Sequence, residues 1–300
     1  MFLSEAEVRA HLRMDELIPA MAEALRDLSL GRVQQPVRQV LPIAQHSGFF
    51  GLMPAYAATR GALGAKLVTF YPNNDSVPTH HAIIQLFRPE TGEPLVTMDG
   101  RLITEMRTAA ASAVATDLLA RRDVSVLALL GSGVQARSHL EALRLVRHFT
   151  EVRVWSPRRA GEFAREFEVS EAASVEDAVG DADVIVAATS ATTPVLCGDW
   201  VAAGAHINAV GATRPNWREL DDTLVRRARV FVDSREAALK ESGDVIAAGE
   251  VAGEIGEVVA GQKPGRKSPA EITLFKSVGV AVEDVVAADL VYRRVVSARA

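Results

Sequence analysis

The segment Val124–Arg159 constrains this chain most strongly. It opens with an apolar run, Val124–Leu130, and turns through Gly131-Ser132-Gly133-Val134-Gln135-Ala136. Apolar residues at helical spacing follow, and a second short apolar run, Val152–Trp155, comes near its end. Strand, glycine turn, helix and strand in this order are the context in which a G-x-G-x-x-A turn binds a dinucleotide.

The residues of this turn have separate physical roles. Gly131 permits a sharp exit from the strand, and Gly133 has no Cβ to keep a pyrophosphate from the backbone. The helix that follows directs N–H groups and the positive end of its dipole at the phosphates. The alternative is a purely structural turn, but the flanking strand and helix favour nucleotide binding.

The end of the second strand bears on the choice of dinucleotide. An acidic residue there would bind the ribose 2′-hydroxyl of NAD. This chain instead has Trp155-Ser156-Pro157, followed by Arg158 and Arg159. A hydroxyl and two guanidinium groups suit a 2′-phosphate. We therefore expect NADP(H) to be preferred, with NAD(H) as a possible alternative, unless the two arginines only begin a solvent-exposed helix.

Composition and charge exclude several classes of partner. A formal net charge of −5 without a basic block argues against nucleic acid. Cys197 is the only cysteine, which excludes an intrachain disulfide and a cysteine-rich zinc site. No apolar run approaches the roughly 18 residues of a membrane span, and Met1–Glu5 reaches charge too early for a secretory signal. We expect a cytoplasmic protein without a membrane or nucleic-acid partner.

Hydrophobic periodicity divides the chain into two domains. The dinucleotide unit continues as alternating strands and helices, whereas the preceding region predicts a mostly antiparallel sheet. Ser4 and Asp15 are predicted N-caps, and a final helix over Lys276–Val296 is expected to return to the N-terminal sheet. The predicted antiparallel strands are Val37–Pro42, Phe49–Ala55, Gly64–Phe70, Ala82–Phe87 and Pro94–Met98.

The resulting fold class is α/β, with a Rossmann-type NAD(P)-binding domain inserted in an α+β substrate-binding domain. The predicted bounds are 115–276 for the Rossmann domain, and 1–114 plus 277–300 for the other. The cleft between the domains is the default position for an active site.

Three cations of the N-terminal region are candidate functional residues. Lys66 stands in the otherwise apolar Gly64-Ala65-Lys66-Leu67-Val68, Arg38 in a predicted strand, and Arg107 in the long helix predicted over Leu102–Ala120. A lysine in a half-buried strand commonly faces solvent. A buried lysine must be paired or have a lowered pKa, which suits an anion ligand or a proton donor.

Two further segments carry polar groups of less certain role. Thr79-His80-His81 follows a turn, but no carboxylate or third histidine stands at a spacing suited to metal, so no metal site is predicted. Glu241 lies in Leu239–Asp244, where it is either a site residue or part of a charged helix end.

Several short sequence motifs, spread over nearly the whole chain, together resemble the ornithine cyclodeaminase/μ-crystallin family. They are Gly64-Ala65-Lys66, Tyr71-Pro72-Asn73-Asn74, Met98-Asp99-Gly100, Arg107-Thr108-Ala109-Ala110, Gly131–Gln135, Lys240-Glu241-Ser242-Gly243-Asp244 and Phe275-Lys276-Ser277-Val278-Gly279. The stretch Val210–Asp221 is most similar to the μ-crystallin (ketimine reductase) branch. Cyclodeaminases carry a catalytic aspartate in this region, where this chain has Ala212-Thr213.

The resemblance implies a homodimer and an NAD(P)H-dependent reductase of cyclic ketimine carboxylates, such as pyrroline-2-carboxylate or piperideine-2-carboxylate. It implies that Arg38, Lys66 and Arg107 hold the carboxylate and polarise the imine. It also implies that Thr79, His80 and Glu241 line the substrate or the nicotinamide side. The residues implied to contact the cofactor are Gly131, Ser132, Gly133, Val134, Gln135, Ser156, Arg158, Arg159, Thr189, Val210 and Ser277.

Three alternatives remain open at this point. An alanine-dehydrogenase-like enzyme would take an open-chain amino acid, and an ornithine cyclodeaminase would convert ornithine to proline. A non-catalytic binding protein would hold a small ligand, as μ-crystallin relatives bind thyroid hormone.

Overall fold

A computed structural model describes residues 1–299 as two compact units. Unit 1 comprises Met1–Arg107 together with the chain from Gly279 onward, and unit 2 comprises Thr108–Val278. The division lies a few residues away from the predicted boundaries at residues 114 and 277. The first division point, between Arg107 and Thr108, falls inside the long helix that was predicted over Leu102–Ala120.

Unit 1 contains a mostly antiparallel sheet. Its strands are β1 (Phe2–Leu3), β2 (Val33–Gln34), β3 (Gln39–Ile43), β4 (Gly48–Ala57), β5 (Ala62–Phe70), β6 (His80–Phe87) and β7 (Pro94–Asp99). Their order in the sheet is β1-β7-β6-β5-β4-β2, with β3 paired to β4. Strands β1 and β7 pair in parallel, and the other pairs are antiparallel. Each of the five antiparallel strands predicted from the sequence is present.

Helices α1 (Glu5–His11) and α2 (Met14–Ser29) precede this sheet, and α3 (Arg101–Leu119) follows it. Ser4 caps α1 as predicted, through a reciprocal capping box with Glu7. The prediction of Asp15 as an N-cap is wrong, because α2 begins at Met14 and its N-cap is Arg13, two residues earlier. Asp15 instead lies in the first helical turn, where its charge complements the helix dipole.

Unit 2 contains a second sheet. Its strands are β8 (Val126–Leu130), β9 (Glu151–Trp155), β10 (Ser170–Glu171), β11 (Val184–Ala187), β12 (His206–Ala209), β13 (Ala228–Val232), β14 (Gly253–Glu254) and β15 (Ile272–Lys276). Their order is β10-β9-β8-β11-β12-β15-β13-β14, and every pair is parallel. Every residue of β11 and β12 is buried, as in strands covered on both faces. The first five strands have the order of a doubly wound dinucleotide fold, which confirms the predicted α/β class.

Helices connect these parallel strands, as parallel pairing requires. They are α4 (Val134–Val146), α5 (Ala160–Phe167), α6 (Val175–Val179), α7 (Asp222–Arg227), α8 (Arg235–Glu241), α9 (Gly243–Ala248) and α10 (Ile255–Val259). Within residues 1–299, none of the helices combines the length and the apolar character needed to cross a membrane.

The last helix, α11 (Ala281–Arg299), belongs to unit 1 and packs on β4, β5, β6 and α2. The prediction that it starts at Lys276 is wrong. Lys276 completes β15 by pairing with Ala209 and Val232, and Gly279 then turns the chain with a φ of +77°. The later start places Glu283 and Asp284 in the first turn of α11, where both are buried.

Two glycines of the turn after β8 should respond differently to alanine. Gly131 has a φ of +118°, and a Cβ there would lie 2.5 Å from the Ala188 carbonyl oxygen. A Cβ on Gly133 would meet nothing within 4 Å, and its φ is −87°. We expect Gly131→Ala to lower the free energy of unfolding by more than about 1 kcal/mol, and Gly133→Ala to leave it unchanged. Thermal denaturation of both variants checks this, and equal Tm values for the two would contradict it.

Candidate functional site

Lys66 lies in the middle of β5, with its side chain only 2% exposed. Alternate residues of a strand face the same side, and the face that carries Lys66 also carries the buried Ala62 and Gly64. Its Nζ lies 2.6 Å from Asp284 Oδ2 on α11 and donates to Thr104 Oγ1 at 3.4 Å. Lys66 is therefore a buried, paired lysine rather than a solvent-facing one.

Arg107 and Arg38 meet the same segment of chain. Arg107 Nε donates to Asp284 Oδ1 at 3.0 Å, and its Nη1 donates to Glu283 Oε2 at 2.9 Å. Arg38, just before β3, donates from Nη2 to the Gly279 carbonyl oxygen at 3.0 Å. A Cβ on Gly279 would lie 2.7 Å from the Arg107 guanidinium, so glycine is required there by contact as well as by its positive φ.

These five side chains form what we call the cation cluster: Arg38, Lys66, Arg107, Glu283 and Asp284. Three cations gather at one place in unit 1, and the side chains of Lys66 and Arg107 are almost fully buried there. Charge-assisted hydrogen bonds from lysine and arginine to a carboxylate are strong. The cluster is therefore suited to bind a carboxylate, and an arginine fork can fix the plane of that group.

The same surroundings change the ionisation of Lys66 and Asp284. Burial, with the positive charges of Arg107 and Arg38, lowers the pKa of Lys66 from 10.5 to about 8, against the opposing effect of Asp284. Burial alone would raise the pKa of Asp284, but Arg107 and Lys66 outweigh it and lower that pKa. Lys66 can thus carry a proton near neutral pH and also give it up readily, as a general acid must.

The other predicted substrate residues are Thr79, His80 and Glu241. His80 pairs in register with Phe70, four residues along β5 from Lys66, which corresponds to about 13 Å. Its ring stacks on Phe70 with centroids 4.4 Å apart, and Thr79 Oγ1 lies 3.4 Å from His80 Nδ1. Glu241 ends α8 in unit 2. The role of these three residues remains a prediction.

The predicted cofactor residues share one edge of the unit 2 sheet. Since all strands are parallel, their carboxyl ends lie along a single edge, which is where such folds bind ligands. The residues are Gly131, Ser132, Gly133, Val134 and Gln135 after β8; Ser156, Arg158 and Arg159 after β9; Thr189 after β11; Val210 after β12; and Ser277 after β15.

The turn after β8 fits a dinucleotide phosphate. Gly133 is the N-cap of α4, and no side chain caps that helix end. The space around a Cβ at Gly133 is open, so a phosphate can reach the backbone N–H groups of the first turn. Ser132 Oγ donates to Ser156 Oγ at 3.0 Å and joins the turn to the end of β9.

The two arginines after β9 differ in their contacts. Both are exposed, but Arg159 Nε donates to Glu162 Oε2 at 2.9 Å in the first turn of α5. Residues 155–157 at this strand end include no acid. The geometry therefore favours Arg158 over Arg159 as the group that could meet a 2′-phosphate.

Sequence reasoning missed the buried carboxylates that hold the predicted site residues in place. Glu283 and Asp284 anchor Arg107 and Lys66, and Asp233 accepts from Ser277 Oγ at 2.9 Å and Val278 N at 2.8 Å. Glu219 accepts from Thr189 N and Oγ1, both at 2.7 Å. The available signal was an acidic residue inside an apolar run, as in Val280-Ala281-Val282-Glu283-Asp284-Val285-Val286.

No group of three or more His, Cys, Asp or Glu side chains within residues 1–299 is arranged to hold a metal ion. The position that carries the catalytic aspartate in cyclodeaminases corresponds to the region of Ala212 and Thr213. Ala212 is fully buried, and its N–H donates to Glu219 Oε2 at 3.2 Å. Residues 212 and 213 themselves therefore offer an aliphatic side chain and a hydroxyl, and the carboxylate of Glu219 is occupied with backbone N–H groups.

Known proteins resemble this chain over its whole length. Ketimine reductase mu-crystallin from Mus musculus is 53% identical, over 97% of this chain and 96% of that protein. Delta(1)-pyrroline-2-carboxylate reductase from Thermococcus litoralis, solved with NADH and L-proline, matches with a TM-score of 0.96 and 38% identity, over 100% of this chain and 98% of that one. An archaeal alanine dehydrogenase dimer with bound NAD matches with a TM-score of 0.94 and 37% identity, over 100% and 97%.

A family model extends this likeness beyond single relatives. The model of the ornithine cyclodeaminase/mu-crystallin family matches residues 1–299, which include the dinucleotide turn and the cation cluster. The chain therefore belongs to the ornithine cyclodeaminase/mu-crystallin family.

Proposed function

We propose that this protein reduces cyclic ketimine carboxylates with NAD(P)H, converting pyrroline-2-carboxylate or piperideine-2-carboxylate to proline or pipecolate. The observation that carries the proposal is the cation cluster, in which three cations face two carboxylates around the buried Lys66. Its lysine and two arginines suit the carboxylate of such a substrate. The similarity to a ketimine reductase and to a pyrroline-2-carboxylate reductase supports the same reaction.

Each group of the cluster has a role in this reaction. Arg107 and Arg38 bind the substrate carboxylate and fix the plane of the ring, because guanidinium forks are directional. Lys66 donates a proton to the imine nitrogen, which makes the adjacent carbon more electrophilic. Bound NAD(P)H supplies the hydride that this carbon accepts. Asp284 holds both cations in place, with its Oδ2 2.6 Å from Lys66 Nζ and its Oδ1 3.0 Å from Arg107 Nε.

Reductive amination of an open-chain keto acid is the second candidate, because an alanine dehydrogenase is also similar over the whole chain. Assays with both cyclic imines, and with pyruvate plus ammonia or methylamine, separate the two candidates. The absence of NADPH oxidation with either imine would contradict the proposal.

A homodimer and a cytoplasmic location complete the proposed description. The similarity to the dimeric alanine dehydrogenase supports the homodimer.

Removing a cation of the cluster should abolish reduction without preventing cofactor binding. We expect Lys66→Met and Arg107→Met each to lower kcat/KM for the imine by about 100-fold or more, because the proton donor or the carboxylate anchor is lost. Arg60→Met is the matched control. It breaks another ion pair with α11, Arg60 Nε to Asp289 Oδ2 at 2.9 Å. Steady-state kinetics and NADPH titration check this, and wild-type kcat/KM in Lys66→Met would contradict the assigned site.

The preference for NADPH should depend on Arg158. We expect Arg158→Ala to raise the KM for NADPH about tenfold and to change the KM for NADH less than about twofold, because only NADPH carries the 2′-phosphate. Arg165→Ala, an exposed arginine in the last turn of α5, controls for the change in net charge. An equal effect of Arg158→Ala on both cofactors would show that no phosphate pocket lies there.

A further inference from the structure

Glu219 joins two loops at the carboxyl edge of the unit 2 sheet. Its side chain is fully buried, and both of its carboxylate oxygens act as acceptors. Oε1 accepts from Thr189 N and Thr189 Oγ1, both at 2.7 Å, in the loop after β11. Oε2 accepts from Gly211 N at 2.7 Å and Ala212 N at 3.2 Å, in the loop after β12. One carboxylate thus fixes three backbone N–H groups on two separate loops.

Other buried charges hold Glu219 in turn. Asp244 Oδ1 accepts from the backbone N–H groups of Glu219 and Leu220, both at 3.1 Å. Lys276 Nζ lies 3.2 Å from Asp244 Oδ2 and 4.0 Å from Glu219 Oε2. Burial raises the pKa of Glu219, while Lys276 and Thr189 oppose that rise. Asp244 and Lys276 belong to two sequence motifs that marked the family, and the proposed reaction gives their side chains no role.

We propose that Glu219 is a positioning residue for the cofactor. It holds the loops at Thr189 and Gly211–Ala212 in the conformation in which this edge of the sheet binds the dinucleotide. The inference rests on the proposed function, since it assumes that NAD(P)H binds at this edge. It assigns Glu219 no contact with the substrate or with the reacting atoms.

The chemistry of the contact explains why a carboxylate is needed. Glu219 accepts all four of these hydrogen bonds, so both of its carboxylate oxygens must be acceptors. A glutamine would turn an NH2 group toward N–H donors on one of the two loops, leaving them without an acceptor in a buried place. An aspartate would keep the charge, but its shorter side chain could not reach both loops.

The test compares Glu219 with a partly buried carboxylate at the opposite edge of the same sheet. Asp183 Oδ2 accepts from Ser125 N at 2.7 Å and Val126 N at 3.0 Å, at the amino ends of β8 and β11, and its Oδ1 accepts from Arg121 Nη2. Asp183→Asn therefore weakens backbone and arginine contacts that lie away from the predicted cofactor residues. The measurements are the Kd for NADPH by fluorescence titration, without substrate, and the Tm of each variant alone.

We expect Glu219→Gln and Glu219→Asp to raise the Kd for NADPH about tenfold or more. Asp183→Asn should lower the Tm and change this Kd less than about twofold. If Glu219→Gln does not fold, Glu219→Asp decides the question. Wild-type Kd values in a folded Glu219 variant, or an equal loss of affinity in Asp183→Asn, would overturn the inference. A wild-type protein that binds neither NADPH nor NADH would instead refute the proposed function.

Discussion

The contact between Lys66, Asp284 and Arg107 is the interaction on which the proposed chemistry depends. An ammonium group in the middle of a buried strand is tolerated only with a partner, and Asp284 provides one at 2.6 Å while also accepting from Arg107. Lys66, Arg107 and Arg38 together offer the charge-assisted hydrogen bonds that bind an anion. Burial lowers the pKa of Lys66 to about 8, and the same group can therefore hold a proton and release it.

Buried carboxylates recur wherever the fold must hold a loop. Asp233 accepts from Ser277 and Val278 after β15, and Glu219 accepts from Thr189 and Gly211. Parallel strands leave loops at their carboxyl ends whose N–H groups need acceptors, and water cannot reach them in a buried place. A carboxylate offers two strong acceptor oxygens and can serve two loops at once. The edge predicted to bind the dinucleotide is therefore organised by charge as well as by backbone geometry.

Much of the fold could be predicted from local sequence patterns. The glycine turn, the buried runs of β8 and β11 and the alternation of unit 1 strands have short-range signatures, and the family resemblance implied roles for the three cations. An acidic pair inside an apolar run signalled that Glu283 and Asp284 are buried, but it could not show which cations they contact. Asp284 lies far from Lys66 in the chain, and the error in the start of α11 hid its position in the first helical turn. Glu219 gave no local signal because its role depends on which strand ends become neighbours in the sheet.

Calorimetric titration of the NADP⁺-loaded protein with L-proline at several pH values tests the central claim most directly. The account predicts that proline binds, that prolinamide, which lacks the carboxylate, does not, and that proline affinity falls as the pH rises through about 8. The sign follows because Lys66 loses its proton above this pKa, and the cluster then carries one positive charge fewer. Equal affinity for proline and prolinamide, unchanged across this pH range, would contradict the account.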